Sequence, residues 1–251
     1  MTDSTLNTIN TTTPMADPVA ALTPGCGSIV QRALGPDFDR LHPRIREQYD
    51  IASASNAAFV GNGIMESIWH GRWYIVPFLH IGSWRRILFP ETGHEVPFEI
   101  RNHAYLDRFG RETVTWKRTF QFPARQREFD EYFIFSEQRG RPVLYAGTHQ
   151  HLAVDLHFTV EENGDLTVRT EGQRLFIGPL TIPFPRFFSG DAMVRETFNE
   201  TLGRFEVIVS IENPFWGKVL GYRGWFDLER ITCTAEDLPE GVRPIRERDR
   251  E

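Results

Sequence analysis

The chain has 251 residues, of which 28 are Lys or Arg and 34 are Asp or Glu, so its formal net charge is −6. This charge balance argues against a nucleic-acid binder, which normally carries a strongly basic face, and we expect no nucleic-acid partner. Its two cysteines, Cys26 and Cys233, are too few for a disulfide framework or a structural zinc site, which favours a cytoplasmic globular protein.

The two ends of the chain differ in composition from its centre. Residues 1–27 are rich in Thr and Asn and lack the basic and apolar regions of a signal or transit peptide, so we expect a disordered tail. Residues 236–251 mix charges of both signs and predict a charged, solvated C-terminal tail. We expect residues 28–235 to form a single β-barrel-like ligand-binding domain.

Two segments have the apolar spacing of helices. Residues 35–49 predict a helix with Asp37 as its N-cap. Residues 72–88 predict a second, aromatic helix that Pro77 begins or kinks. We interpret this helix as a lid on a barrel mouth; the alternative is peripheral membrane contact, with Arg85 and Arg86 on lipid headgroups. Its apolar run is about half the length that a membrane-spanning helix needs.

From Glu95 to about Ile231 the sequence alternates between apolar and polar residues, as strands do. With a further strand over residues 58–67, this predicts nine to ten antiparallel strands. So many strands with short turns curl to remove their edges. We therefore predict a mainly β (α+β) protein, with a barrel or strongly curved sheet, one or two covering helices and room for a ligand.

The first hairpin is predicted to turn at residues 123–126, with Pro123 at its start. That turn directly opposes four pairs of residues: Phe120–Phe129, Arg118–Glu131, Trp116–Phe133 and Val114–Phe135. A second hairpin turns at residues 162–164 with Gly164 in the left-handed region, which opposes Val160 to Leu166 and Phe158 to Val168.

The first hairpin carries the strongest candidate site. If its apolar face points into the barrel, Arg118 and Glu131 lie together in an apolar pocket, where each needs the other. Arg118 would hold a ligand oxygen and Glu131 would donate or accept a proton; a purely structural ion pair is the alternative. The predicted ligand-binding residues share this inward face of their strands: Trp116, Phe120, Phe129, Phe133, Asn102 and Gln150.

His149 and His151 form a weaker candidate. A His-x-His pair on a strand is a known metal-binding arrangement, but Asp155 lies about 14 Å further along a straight strand, too far to share the metal. An acid–base role for the two histidines is a further alternative. Gly61 and Gly63 lack the third glycine and the context of a nucleotide-binding loop, and we expect no metal and no cofactor.

Several segments of the chain carry a family resemblance. They are LGPDFDRLHPRIREQYD (Leu34–Asp50), FVGNGIM, FPETGHEVPFEIRN, FGRETVTWKRTF and NPFWGKVLGYRGWF. In these segments the chain resembles a bacterial family called domain of unknown function 4166, over approximately Ala33–Leu228. Its members look like stand-alone proteins or appendages that follow saccharopine-dehydrogenase-like domains. The resemblance implies no catalytic residue, and without a dehydrogenase half it implies no NAD binding.

Three functional hypotheses follow. The leading one is a barrel that binds a small hydrophobic molecule of isoprenoid, polyketide or aromatic type and catalyses a cofactor-free isomerisation, cyclisation or elimination through Glu131 and Arg118. The second is a non-catalytic lipid or metabolite carrier whose aromatic helix touches a membrane. The third is an interaction domain with a filled core. The sequence does not determine the ligand, the reaction class or the oligomeric state.

Overall fold

The computed structural model describes residues 27–251, so all but the last residue of the predicted disordered tail lies outside the described residues. Residues 27–251 contain three short α-helices, and each follows a 3-10 turn or a capping residue. They are α1 (Ile29–Leu34), α2 (Pro43–Tyr49) and α3 (Val76–Ser83). The 3-10 turns are Gly35–Arg40, Ser53–Ser55 and Trp73–Ile75.

Eleven strands account for most of the rest of the described residues. They are β1 (Ala57–His70), β2 (Gly93–Leu106), β3 (Glu112–Phe122), β4 (Arg125–Ser136), β5 (Arg141–Ala146), β6 (Leu152–Val160), β7 (Leu166–Ile177), β8 (Leu180–Pro183), β9 (Asp191–Asn199), β10 (Arg204–Asn213) and β11 (Gly217–Thr232).

Ten of these strands close into an antiparallel barrel. Their order is β6-β5-β4-β3-β2-β1-β11-β10-β9-β7, and pairing of β7 with β6 closes the ring. β8 is an extra strand that pairs with β7. The mainly β barrel predicted from the alternating pattern is therefore confirmed. Closure leaves each barrel strand with two neighbours, which removes the exposed edges of an open sheet.

The first hairpin turns more tightly than predicted. Phe122 faces Arg125, so the turn contains only Pro123 and Ala124, and every opposed pair moves by two residues. Arg118 faces Phe129, and Glu131 faces Trp116. The predicted pairs were thus wrong, but a shift of two keeps each side chain on its predicted face because the side-chain period of a strand is two. The second hairpin is confirmed: Val160 faces Leu166, Phe158 faces Val168, and Gly164 has φ +85°.

The helices occupy the two ends of the barrel. Ser28 caps the N-terminus of α1, and its hydroxyl accepts a hydrogen bond from the Gln31 amide at 3.0 Å. Together α1 and α2 close one end of the barrel. The single helix predicted over residues 35–49 is instead a 3-10 turn followed by α2, and Asp37 is not its cap. Pro43 explains the break, because proline favours the first turn of a new helix. At the other end, the predicted aromatic helix is shorter, with Pro77 in its first turn.

The C-terminal segment, residues 236–251, packs on the outside of the barrel, so the predicted solvated tail was wrong. Val242 is only 3% exposed. Thr115 donates a hydrogen bond to the Val242 carbonyl at 3.0 Å, and Tyr145 donates one to the Arg250 carbonyl at 2.7 Å. A second apolar cluster lies on the outer face of the barrel, beneath this segment: Tyr132, Ile134, Val143, Tyr145, Ala153 and Phe176. Strands β4 and β5 therefore carry apolar side chains on both faces, and the segment shields the outer one.

Candidate functional site

A cavity of about 470 Å³ lies at the end of the barrel that carries α3. Its strand wall is mainly apolar and consists of inward side chains, among them Phe129, Leu144, Ala146, Leu152, Val154 and Ile211. α3 contributes Phe78 and Ile81, and the β8–β9 loop contributes Phe187 and Phe188. The Phe78 and Phe188 rings lie 5.9 Å apart, so the helix and the loop meet over the cavity.

Most polar side chains of the cavity wall are already bonded to the protein. Asn213 donates to three backbone carbonyls of the β8–β9 loop, the shortest at 2.6 Å, and accepts from the amides of Phe215 and Trp216. Gln173 donates to the Gly190 carbonyl at 2.6 Å. These bonds hold the loop in place. Within residues 27–251, Glu131 is the ionisable side chain that lines the cavity.

Glu131 is bonded to Arg118, which lies behind it in the barrel. The Arg118 Nη1 donates to the Glu131 Oε2, and the two side chains are 6% and 13% exposed. The Arg118 guanidinium also lies between two aromatic rings, 5.2 Å from the Trp116 centroid and 5.5 Å from the Phe129 centroid. Burial by itself would lower the pKa of Arg118, but the Glu131 carboxylate together with the Tyr222 and Tyr49 side chains outweighs it, so this pKa is raised. The arginine therefore stays charged.

A second buried carboxylate, Glu196 on β9, belongs to the same interior. It accepts a hydrogen bond from the Tyr49 hydroxyl at 3.3 Å and a longer one from the Gln48 amide at 3.5 Å. Burial raises the pKa of Glu196 to about 7, although the Arg118 charge opposes the shift. The sequence reasoning missed this residue. Its inward position in the alternating run Ala192–Phe198 is the signal that would have found it.

Two further interior groups have no hydrogen-bond partner within the described part of the chain. They are the side-chain amide of Asn102, which is fully buried and faces Phe59 and Trp116, and the hydroxyl of Tyr222. Burial, opposed by the charge of Arg118, raises the pKa of Tyr222 to about 12, so its hydroxyl keeps its proton at neutral pH.

The structure separates the predicted site residues into three groups. Phe129 and Glu131 line the cavity, and Arg118 contacts Glu131 from behind. The second group packs in closed layers of the core away from the cavity: Trp116, Phe120, Phe133 and Asn102.

Gln150 belongs to neither of these groups and does not line the cavity. It lies in the loop before β6 at φ +51°, where strand alternation does not apply, and its side-chain oxygen accepts from the Arg248 amide at 2.7 Å. It binds the C-terminal segment instead.

His149 and His151 lie beside positive groups rather than carboxylates. Their ring centroids are 5.9 Å apart, and the Arg248 guanidinium lies 3.3 Å from the His151 Nδ1. Burial and the nearby Arg85 lower the pKa of His149. Asp155 is engaged elsewhere, by Arg139 and Arg174. Within residues 27–251, no group of three or more His, Cys, Asp or Glu side chains is arranged to hold a metal ion.

The fold and this site define a closed antiparallel barrel with an apolar cavity at one end and a buried ion pair at the cavity wall. Comparison with known sequences places the barrel in a family. The chain belongs to the family called domain of unknown function (DUF4166), whose profile matches residues 41–226. It is also similar to the uncharacterized protein YndH of Bacillus subtilis (strain 168), with 31% identity over 193 residues that cover 77% of this chain and 93% of the relative. No helix within residues 27–251 is long and apolar enough to cross a membrane.

Proposed function

We propose that this protein binds a small, largely hydrophobic molecule in the cavity beneath α3. The observation that carries the proposal is a cavity of about 470 Å³ with apolar walls and one carboxylate, Glu131. Ligand sites in proteins typically enclose about 300–1,000 Å³, with apolar linings and a few placed polar groups. A cavity of this size also favours ligand binding over the alternative of an interaction domain with a filled core.

The wall chemistry indicates the class of ligand. The aromatic and aliphatic side chains suit an isoprenoid, polyketide or aromatic skeleton. Glu131, as a carboxylate, accepts hydrogen bonds, so a ligand with a hydroxyl or amine at its inner end pairs with it. Arg118 holds that carboxylate in place from behind. A purely anionic inner end would face like charge and is disfavoured.

A cavity-filling substitution tests the binding proposal. Ala146 lines the cavity, and its backbone faces Glu131 across β4 and β5. We expect the unmodified protein to bind a neutral fluorescent probe, N-phenyl-1-naphthylamine, and Ala146→Trp to abolish that binding. Ile208→Trp on the outer face of β10 is the matched control, because Ile208 is 45% exposed and does not line the cavity. Equal probe binding by a folded Ala146→Trp variant would contradict the proposal.

A second candidate function rests on the bond between Glu131 and Arg118. A carboxylate at the wall of a largely apolar cavity is able to remove a proton from a bound ligand and return it at another atom, which isomerises the ligand without a cofactor. The same proton transfer assists a cyclisation or an elimination. The bond from Arg118 orients the Glu131 carboxylate for the first step.

Glu131→Gln separates binding from chemistry. Ligand recovered from unmodified and variant protein is compared by mass spectrometry, after incubation with an apolar extract of the native host. If Glu131 transfers protons, the variant binds the ligand without converting it, whereas the unmodified protein converts the ligand to a product. Identical products from both proteins would reject the catalytic role and leave the binding proposal intact.

A further inference from the structure

The cavity opens within an exposed aromatic surface. We define the mouth surface as residues 72–86, 184–190 and 214–218, which come from α3, the β8–β9 loop and the β10–β11 turn. Its exposed apolar side chains are Trp73 (81%), Phe78 (44%), Ile81 (61%), Trp84 (83%), Phe187 (43%), Phe188 (54%) and Phe215 (65%). Exposed apolar surface that is contiguous typically marks a site of protein or membrane interaction.

Ring contacts make the mouth surface continuous. Phe187 lies 5.1 Å from Phe188 and 6.0 Å from Phe215, and Phe188 lies 5.9 Å from Phe78. Phe78, Phe187 and Phe188 also line the cavity, so the surface and the cavity wall share side chains. A molecule that leaves the cavity therefore passes directly across this surface.

The charges of the mouth surface are of one sign. Its three segments contain no Asp or Glu, although the whole chain carries a net charge of −6. Four of its basic residues are exposed: Arg72, Arg85, Arg186 and Lys218. Within residues 27–251 none of these four forms an ion pair, unlike Arg86, which binds Asp130 and Glu128.

More positive charge lies beside α3, at the C-terminal segment. The Thr148 amide donates to the Arg85 carbonyl at 3.0 Å, and the Thr148 carbonyl accepts from the Arg246 amide at 3.3 Å. This backbone chain places Arg246 next to Arg85, and Arg248 and the two histidines lie in the same cluster. The basic groups thus border the aromatic surface at the end where Trp84 projects.

We propose that the mouth surface docks on an anionic lipid bilayer. Exposed tryptophans favour the interface between headgroups and acyl chains, and unpaired arginines favour anionic headgroups. Docking in this orientation places the cavity entrance against the acyl layer, from which an apolar ligand would enter without crossing water. The inference goes beyond ligand binding and does not require it, because the contacts belong to the outer surface.

Vesicle flotation of the full chain tests the proposal. We expect binding to vesicles of phosphatidylcholine with phosphatidylglycerol, weaker binding to phosphatidylcholine alone, and loss of binding as salt is raised, because salt screens the arginines. Trp73→Ser/Trp84→Ser should lower partitioning by about tenfold or more, since two large aromatic side chains lose their apolar burial. Arg72→Gln/Arg186→Gln should reduce binding to anionic vesicles selectively.

Two controls keep this test separate from the ligand proposal. Phe109→Ser/Leu202→Ser removes exposed apolar side chains at the opposite end of the barrel and should bind vesicles normally. Ala146→Trp, which fills the cavity, should also bind vesicles normally. The proposal is overturned if the unmodified protein does not float with anionic vesicles, or if Trp73→Ser/Trp84→Ser floats as well as the control. The proposal is also overturned if the unmodified protein is a dimer and Trp73→Ser/Trp84→Ser makes it a monomer without any change in vesicle binding. That result would make the mouth surface a contact between two copies of the chain.

Discussion

Arg118 and Glu131 bond diagonally across β3 and β4 rather than from directly opposed positions, since Arg118 faces Phe129 and Glu131 faces Trp116. The diagonal lets the arginine lie between two aromatic rings while its guanidinium reaches the carboxylate. Only the carboxylate lines the cavity. Arg118 is therefore the buried, supporting member of the pair, and Glu131 is the member that a ligand can contact.

The first prediction concerns the stability of this pair. Glu131→Gln leaves the Arg118 charge buried without its carboxylate, and we expect a loss of about 3 kcal/mol in the free energy of unfolding. Glu131→Gln/Arg118→Met removes both charges and should recover most of that loss. Urea unfolding measures both variants.

An exposed ion pair serves as the control for this comparison. Arg141 binds Glu171, and the two side chains are 43% and 45% exposed. Arg141→Gln should change the free energy of unfolding by less than about 1 kcal/mol. A Glu131→Gln effect no larger than this control would show that the buried pair contributes little to the fold.

The second prediction concerns pH and Glu196. Burial raises the pKa of Glu196 in the folded protein to about 7, above its ordinary value of 4.5, so the folded state holds this proton more tightly than the unfolded chain. The resulting stabilisation is complete below pH 4.5 and is lost as the pH rises towards 7. Glu196→Gln removes this pH-dependent loss of folding stability. At pH 8 the variant should therefore be more stable than the unmodified protein, by up to about 3 kcal/mol.

Comparison with a matched variant isolates the contribution of Glu196. His103 is buried with its pKa lowered to about 4, so its own effect has the opposite direction and destabilises the fold as the pH falls below about 6.5. It acts equally in both proteins and cancels in their difference. Glu162→Gln, at an exposed loop position, should keep the pH profile of the unmodified protein. Parallel profiles for Glu196→Gln and Glu162→Gln would contradict the assignment.

The third prediction tests the two interior asparagines. Asn102 is fully buried and neither atom of its side-chain amide has a partner, so Asn102→Leu should stabilise the fold by about 1 kcal/mol. Asn213 makes five hydrogen bonds in and around the β8–β9 loop. Asn213→Leu should therefore destabilise the fold by about 2 kcal/mol or more. Thermal unfolding compares the two. Loss of probe binding in a stable Asn102→Leu variant would instead assign Asn102 to a ligand.

The fourth prediction concerns the C-terminal segment. Val242 is 3% exposed and covers the outer face of the barrel, whereas Ile245 is 75% exposed. Val242→Asp buries a charge without a partner and should destabilise the fold by about 3 kcal/mol. Ile245→Asp adds the same charge in solvent and should change the stability by less than about 0.5 kcal/mol. Equal effects would show that the segment is not part of the folded barrel in solution.

Apolar–polar alternation was enough to assign which side chains of the long strands face inward. Alternation predicts that Arg118, Glu131 and Phe129 share one face, and the two-residue shift of the hairpin did not change this, because a strand repeats every two residues. The turn at Gly164 was predictable for a similar reason, since its chemistry lies within a few adjacent residues.

Which inward residues contact one another depends on the closed barrel and does not follow from alternation. Glu196 joins the interior polar groups because barrel closure and the packing of α2 bring residues 48, 49 and 196 together. The outer cover formed by Val242 depends in the same way on a contact with Thr115, far away in the chain. Such long-range contacts leave no periodic signal in a single sequence, because the free energy that favours them exists only once the barrel has closed.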